Sequence, residues 1–142
     1  RMKTIVYSAL ALLVTAGLVS FTAPSNKLTE VTAFQDGGKG KTIYAKTCVA
    51  CHQANGQGIP NAFPPLAKSD YLNKDTNRAI KAVLHGLKGP IVVNGKKFNS
   101  AMTPQGLNDQ QVADVLTYVY SSWGNNNTKV TPAMVKAQRA KK

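Results

Sequence analysis

A chain of 142 residues, 43% of them hydrophobic, has room for one modest globular domain with extensions and not for several. Eighteen Lys and Arg face six Asp and Glu, a net charge of +12, so the surface is basic and drawn to acidic partners. No nucleic-acid-binding motif accompanies that charge, which argues against DNA or RNA as the partner.

The chain opens with Arg1 and Lys3 ahead of an apolar run, "IVYSALALLVTAGLVSF", from Ile5 to Phe21. A basic start followed by an apolar stretch is the layout of a secretory signal. The run of 17 residues falls short of the roughly 20 needed to span a bilayer. Ala23-Pro24-Ser25 supplies small residues around a cleavage point after Ser25. Residues 1–25 are therefore expected to be a signal peptide or, left uncut, an N-terminal membrane anchor through residues 5–21. The run has no polar face, so a buried core helix is a third reading. Cleavage would leave sixteen basic against six acidic residues, a net +10 on an exported or periplasmic domain.

Residues 26–37 show no clear period and read as a linker. A helix is predicted from Gly38 through Cys51, "GKGKTIYAKTCVAC". The following stretch, "QANGQGIPNAFPPLAKSDYLN", contains two Gly and three Pro and cannot form a long regular element. "DTNRAIKAVLHG" reads as a helix with Asp75 as N-cap and Gly86 as C-cap, and Ile80, Val83, Leu84 and Leu87 at helical spacing. "IVVNGKKF" reads as a small hairpin turning at Asn94-Gly95. A loop, "NSAMTPQG", leads to the last core helix. There Asn108 and Gln111 resemble a capping pair, and Val112, Val115, Leu116, Val119 and Trp123 form one apolar stripe. "GNNN" ends that helix. Residues 126–142 are a basic tail, expected to be mainly a solvated extension although Thr131-Pro132 can open a short helix.

The folded core is thus expected over residues 38–125. A core of this size, rich in loops, needs something to staple it. "CVACH", residues 48–52, holds both cysteines and one of the two histidines of the chain. Cys48 and Cys51 are three apart on a helix and share one face, and His52 follows directly. C-x-x-C-H is the attachment site of c-type haem: two thiols add to the two vinyl groups, and the adjacent imidazole reaches the iron. Haem c, attached through Cys48 and Cys51, would supply the apolar body that the loops lack. Three other readings fit less well. A thioredoxin-like pair calls for a βαβ context, a structural zinc site calls for four well-spaced ligands, and a disulfide leaves His52 unexplained.

The iron has a second axial position, and the candidates are Met102, Met134 and His85. Met102 lies in a loop beside Pro104 and Gly106, where a surface methionine has no packing role, and it is the first choice. Met134 lies in the tail. His85 sits in the last turn of its helix, where a cation suits the helix dipole. His/Met ligation fills both positions, raises the reduction potential and favours electron transfer over oxygen chemistry.

The stretch from "GKGKTIYAKTCVACHQANGQGIPNAFPPLA" through "AVLHGLKGPIVVNGKKFNSAMTPQG" to "LNDQQVADVLTYVYSSWGN" resembles the class I monohaem cytochromes c, in particular bacterial cytochrome domains found alone or joined to dehydrogenases and nitrite reductases. The resemblance implies a small all-α fold, three to five helices wrapped around one covalent haem, with a small hairpin. It implies that the first and last helices cross, with Gly40 and Tyr44 meeting Val115 and Tyr118. It also implies a proline carbonyl that accepts a hydrogen bond from the ligand histidine, with Pro64 the first choice and Pro60 the second, and Leu66 packed on the haem face. Where many relatives have Met followed directly by Pro, this chain has Met102-Thr103-Pro104.

The sequence is therefore read as a periplasmic single-electron carrier of a respiratory chain, not an enzyme. Cys48, Cys51, His52, Met102, Pro64 and Leu66 form its haem site, and His52 and Met102 ligate the metal. Its partners would be an oxidase, reductase or dehydrogenase with acidic docking surfaces that meet lysines around the haem edge. A haem-bearing subunit of a membrane respiratory or dehydrogenase complex is the alternative, and a haem enzyme or gas sensor is a third reading.

Overall fold

The computed structural model describes residues 33–141. The expected signal or anchor, residues 1–25, lies outside them. Six helices and one hairpin follow in order: α1 Ala33–Thr47, α2 Val49–His52, α3 Asp70–Lys74, α4 Thr76–His85, β1 Ile91–Val93, β2 Lys96–Phe98, α5 Asp109–Ser121 and α6 Pro132–Arg139. Among the described residues no helix is long and apolar enough to cross a membrane.

Local chemistry sets most of these boundaries. The Asp75 carboxylate accepts from the Arg78 amide at 3.0 Å and starts α4, and Gly86 ends it with its amide donating to Ala82 O. Asn108 and Gln111 form a reciprocal capping box at the start of α5, with bonds of 2.9 and 3.0 Å. Thr131 caps α6, with Pro132 at its first position. β1 and β2 pair antiparallel with Ile91 opposite Phe98, and Asn94 and Gly95 turn between them at φ 49° and 75°. Val93 and Phe98 point inward and are buried.

The core lies between α1, α4, α5 and α6. α5 buries Val112, Val115, Leu116 and Val119 along one stripe, and α4 contributes Ile80 and Val83. α1 crosses α5 at Gly40, where a Cβ would stand 2.2 Å from Asp114 O and 2.7 Å from Tyr118 Cβ. Only glycine permits that approach. Beside the crossing, Tyr44 packs at centroid distances of 5.6 Å from Tyr118 and 5.1 Å from Trp123.

Three expectations are corrected, and one is filled in. α1 starts at Ala33, so the last five residues of the expected linker are helical. The glycines of "DGGKG" hide that start from a propensity argument, while the crossing with α5 supports the helix. A single-turn helix, α3, interrupts the long loop, capped by the Ser69 hydroxyl on the Leu72 amide at 3.2 Å; α1 to α5 agree with the expected three to five helices, and α6 in the tail is the sixth among the described residues. α5 stops at Ser121, so Trp123 is not on its stripe; it stands beyond the helix at φ 52°. Finally, much of the basic tail is not a solvated extension. Val130, Val135 and Gln138 are buried, and α6 packs on α4 and α5. Thr117 Oγ1 accepts from the Val130 amide at 3.0 Å, Gln138 Nε2 donates to Asn77 Oδ1 at 3.0 Å, and Arg139 pairs with Asp109 at 2.7 Å. Val130 just before the helix, Val135 and the half-buried Met134 within it, and one amide with a partner dock a helix whose basic residues, Lys136 and Arg139, stay exposed.

Candidate functional site

α1 ends at Thr47, and the chain tightens into one turn. The Cys48 amide donates to Tyr44 O at 2.9 Å, and the His52 amide donates to Cys48 O at 2.9 Å. Gln53, at φ 63°, ends the turn, and its carbonyl accepts the Tyr44 hydroxyl at 2.7 Å. Cys48, Cys51 and His52 therefore sit on a single turn braced by a buried tyrosine. Both thiols are free and half-buried. Burial pushes the Cys48 thiol up in pKa, and the Thr47 hydroxyl at 3.3 Å partly opposes it.

The loop after the turn is organised by carbonyls and glycines. The Gly58 amide returns to His52 O at 3.0 Å, and the amides of Leu66 and Ala67 both donate to Gly56 O, at 2.7 and 2.9 Å. A Cβ on Gly58, at φ 66°, would stand 2.3 Å from Phe63 O and 2.7 Å from Pro64 O. This folding places Pro64 O 3.0 Å from His52 Nδ1. The Nδ1–H donates to the carbonyl, which leaves the Nε2 lone pair as the free ligand position of the ring. Burial lowers the His52 pKa and the Pro64 carbonyl opposes that shift, so the imidazole is held neutral, the form that binds metal. Pro60 borders a different cleft, beside the hairpin.

Met102 comes from the loop between β2 and α5. Its amide and carbonyl pair with those of Leu87, both at 2.9 Å, and the Gln105 amide donates to Val83 O at 3.1 Å. The end of α4 thus holds the loop. His52 and Met102 line the same two adjoining clefts. The larger spans about 720 Å³ against about 680 Å³, open solvent at the mouths included, and is walled by apolar side chains that include Leu66, Val83 and Val115, a character suited to a bulky apolar ligand. Neither His85 nor Met134 lines either cleft. His85 is exposed, and Met134 packs against the core.

Sequence reasoning missed part of the wall. Tyr71, on α3, lines the larger cleft, as do Ile91 and Val93 of β1. Reciprocal bonds between Asp70 and Asn94, at 3.0 and 2.7 Å, fasten α3 to the hairpin turn. The Arg78 guanidinium lies 3.7 Å from the Tyr71 ring centroid, and its Nη2 donates to Tyr71 O. The ring covers Arg78 Nε, which is buried without a hydrogen-bond partner. The Asn94-Gly95 turn was the available signal that something closes here, but nothing in the pattern said against what. Among the described residues no Lys, Arg, Asp or Glu lines either cleft.

The family model described as Cytochrome c matches residues 38–123, more than half of the chain. This chain belongs to the cytochrome c family. It is 42% identical over 113 residues to cytochrome c-552 of Thermus thermophilus, covering 72% of this chain and 86% of that protein. It is 32% identical over 94 residues to the cytochrome c subunit of the quinone alcohol dehydrogenase of Gluconobacter oxydans, covering 63% of this chain and 19% of that subunit. It is 41% identical over 81 residues to cytochrome c-554(548) of Halomonas halodenitrificans, covering 54% of this chain and 83% of that protein.

A cytochrome c domain carries covalent haem c, and Cys48 and Cys51 have the spacing of its two thioether anchors. The residues present fit that group. Two free thiols and a neutral imidazole sit on one turn; Cys48 and His52 open onto the apolar cleft, Cys51 onto the one adjoining it, and a soft thioether sulfur borders both. Bound there, haem c supplies a one-electron iron couple.

Proposed function

We propose that this cytochrome is a single-electron carrier whose iron is ligated by His52 and Met102. The observation that carries the reading is that these two side chains border one apolar cleft, with the ring of His52 already oriented by Pro64 O at 3.0 Å. The protein's work is positional. Pro64 fixes the imidazole, the Leu87–Met102 bridge fixes the thioether, Leu66 and its neighbours exclude water, and a filled sixth position denies substrate or gas a site. The carrier reading therefore makes the protein an electron-transfer protein without an enzymatic reaction of its own. Residues 1–25 act in export or as an anchor, residues 38–125 and the docked α6 form the working domain, and its place is the periplasm. There the net positive charge steers redox proteins of acidic surface toward it.

The test is the absorption spectrum of the reduced protein, produced with haem-attachment machinery, before and after adding carbon monoxide. A low-spin c-type spectrum indifferent to the gas is expected, and Met102→Ala should open the iron to it while keeping the covalent haem. Binding of carbon monoxide by the unaltered protein would replace the carrier reading with a sensor or enzyme. A second reading, a subunit of a membrane dehydrogenase, is favoured by the likeness to the alcohol dehydrogenase cytochrome subunit. Stable co-purification with a dehydrogenase would select it.

A further inference from the structure

The asparagines after α5 read in sequence only as the end of a helix, yet Asn125 is buried and every hydrogen-bonding position of its side chain is filled. Its Nδ2 donates to Leu66 O and to Val119 O, both at 2.9 Å. Its Oδ1 accepts from the Ser69 amide at 3.3 Å and from Asn73 Nδ2 at 3.2 Å. Asn125 lines neither haem cleft, but Leu66, Ser69 and Val119 all line the larger one. One buried amide outside the cleft therefore grips the backbone of its wall at three places.

On the loop it acts as a neighbouring strand would: it donates to Leu66, at one end of a bend, and accepts from Ser69, at the other. Between them Lys68 stands at φ 49°, a backbone that its side chain disfavours. A strained bend persists only where its surroundings fix it, and Asn125 bonds both of its ends. Pro64, whose carbonyl accepts from His52 Nδ1 at 3.0 Å, lies two residues before Leu66. Leu66 is held at both backbone groups, its amide on Gly56 O at 2.7 Å and its carbonyl by Asn125. We propose that Asn125 is a positioning residue for the iron ligand: acting through Leu66, it keeps Pro64 O on His52 and so sets the midpoint potential from outside the haem cleft. The proposal rests on His52 as the ligand and adds a determinant of potential that does not touch it. The bond to Pro64 makes the imidazole a stronger donor to iron, which favours the ferric state. When the bond slackens, the midpoint potential rises.

The test uses the haem-loaded protein carrying Asn125→Ala or the milder Asn125→Ser, which keeps one hydroxyl. Two controls weaken the fold elsewhere. Asn126→Ala removes a bond to Asn73 O at 3.2 Å and has no tie to Leu66. Gly40→Ala strains the crossing of α1 with α5. Both Asn125 variants should raise the midpoint potential. Both should also speed solvent exchange of the His52 Nδ1 proton, read by NMR of the reduced protein, by about tenfold or more, because buried groups left unpaired weaken the closed loop. The controls should lower the thermal midpoint and leave potential and proton exchange alone. The proposal is overturned if the Asn125 variants keep the unaltered potential and exchange rate, or if Gly40→Ala shifts both as much as they do. If neither Asn125 variant yields haem-loaded protein, the unaltered protein decides. Its Asn125 side-chain amide protons and its His52 Nδ1 proton should exchange with the same dependence on dilute denaturant, and a His52 proton that opens independently overturns the proposal. If the His52 ring protons show no shift from haem, the ligand reading fails and the proposal with it.

Discussion

The two sides of the haem cleft are built by different means. On the His52 side the imidazole is placed by short-range elements: one helical turn, two anchoring cysteines, a loop folded back through Gly56 and Gly58, and a carbonyl on the imidazole. On the Met102 side a loop without regular structure is held by its pairing with Leu87 and by the Gln105 amide on Val83 O. Those contacts are only as firm as α4, and α4 is backed by α5 and α6. The first side is set mainly by bonds within its own segment, with the Asn125 amide on Leu66 O at 2.9 Å as a distant brace, while the second depends on α4 and what backs it. On the proposed ligation by His52 and Met102, the methionine side should fail first.

Removing α6 and its approach, by ending the chain before Val130, should have the largest effect. It uncovers the buried positions of Val130 and Val135, about 3 kcal/mol or more, and lets α4 shift. Carbon monoxide binding should then rise while the His52 side keeps its spectrum; loss of both ligands together would erase the distinction between the sides. Gly40→Ala tests the other support. Its Cβ would collide with Asp114 O, and the crossing should loosen at a cost of about 1–3 kcal/mol, read as a lower thermal midpoint without new gas binding. Gly58→Ala acts on the His52 side itself by displacing Pro64 O, at a cost of about 1–2 kcal/mol for the left-handed backbone. Its signature is a changed midpoint potential, because the imidazole loses the bond that sets its basicity. An unchanged potential would mean that the Pro64 contact is dispensable.

Alkaline pH should give the smallest and most diffuse effect. Burial holds the Tyr44 and Tyr120 hydroxyls above the usual tyrosine range, and both donate to carbonyls. The folded state keeps these protons after the unfolded chain has released them, so stability is full below the ordinary pKa of about 10 and declines above it, by up to ~1.4 kcal/mol per pH unit for each tyrosine. Denaturant titrations across that range, with and without Tyr44→Phe, measure the slope.

Much of the scaffold could be read in advance because its signals are local. Asp75, the Asn108–Gln111 pair and Asn94-Gly95 each act within four residues, and C-x-x-C-H is contiguous. The unread parts depend on contacts between distant segments. Nothing in spacing separates Pro64 from Pro60; the folding of the loop about Gly58 does. Nothing local shows that Val130 and Val135 are covered, or that Gly40 sits in a helix because Asp114 passes beside it.

The crossing at Gly40 joins the first part of the domain to the last, with both ligand segments in the chain between. An opening that parts α1 from α5 must break up the core around Val115 and Val119, so it amounts to global unfolding rather than fraying. Amide hydrogens of α1 and α5 should therefore exchange with solvent together and most slowly, while those of the Met102 loop exchange soonest. The domain is closed like a clasped band, and the clasp is a single missing methyl group.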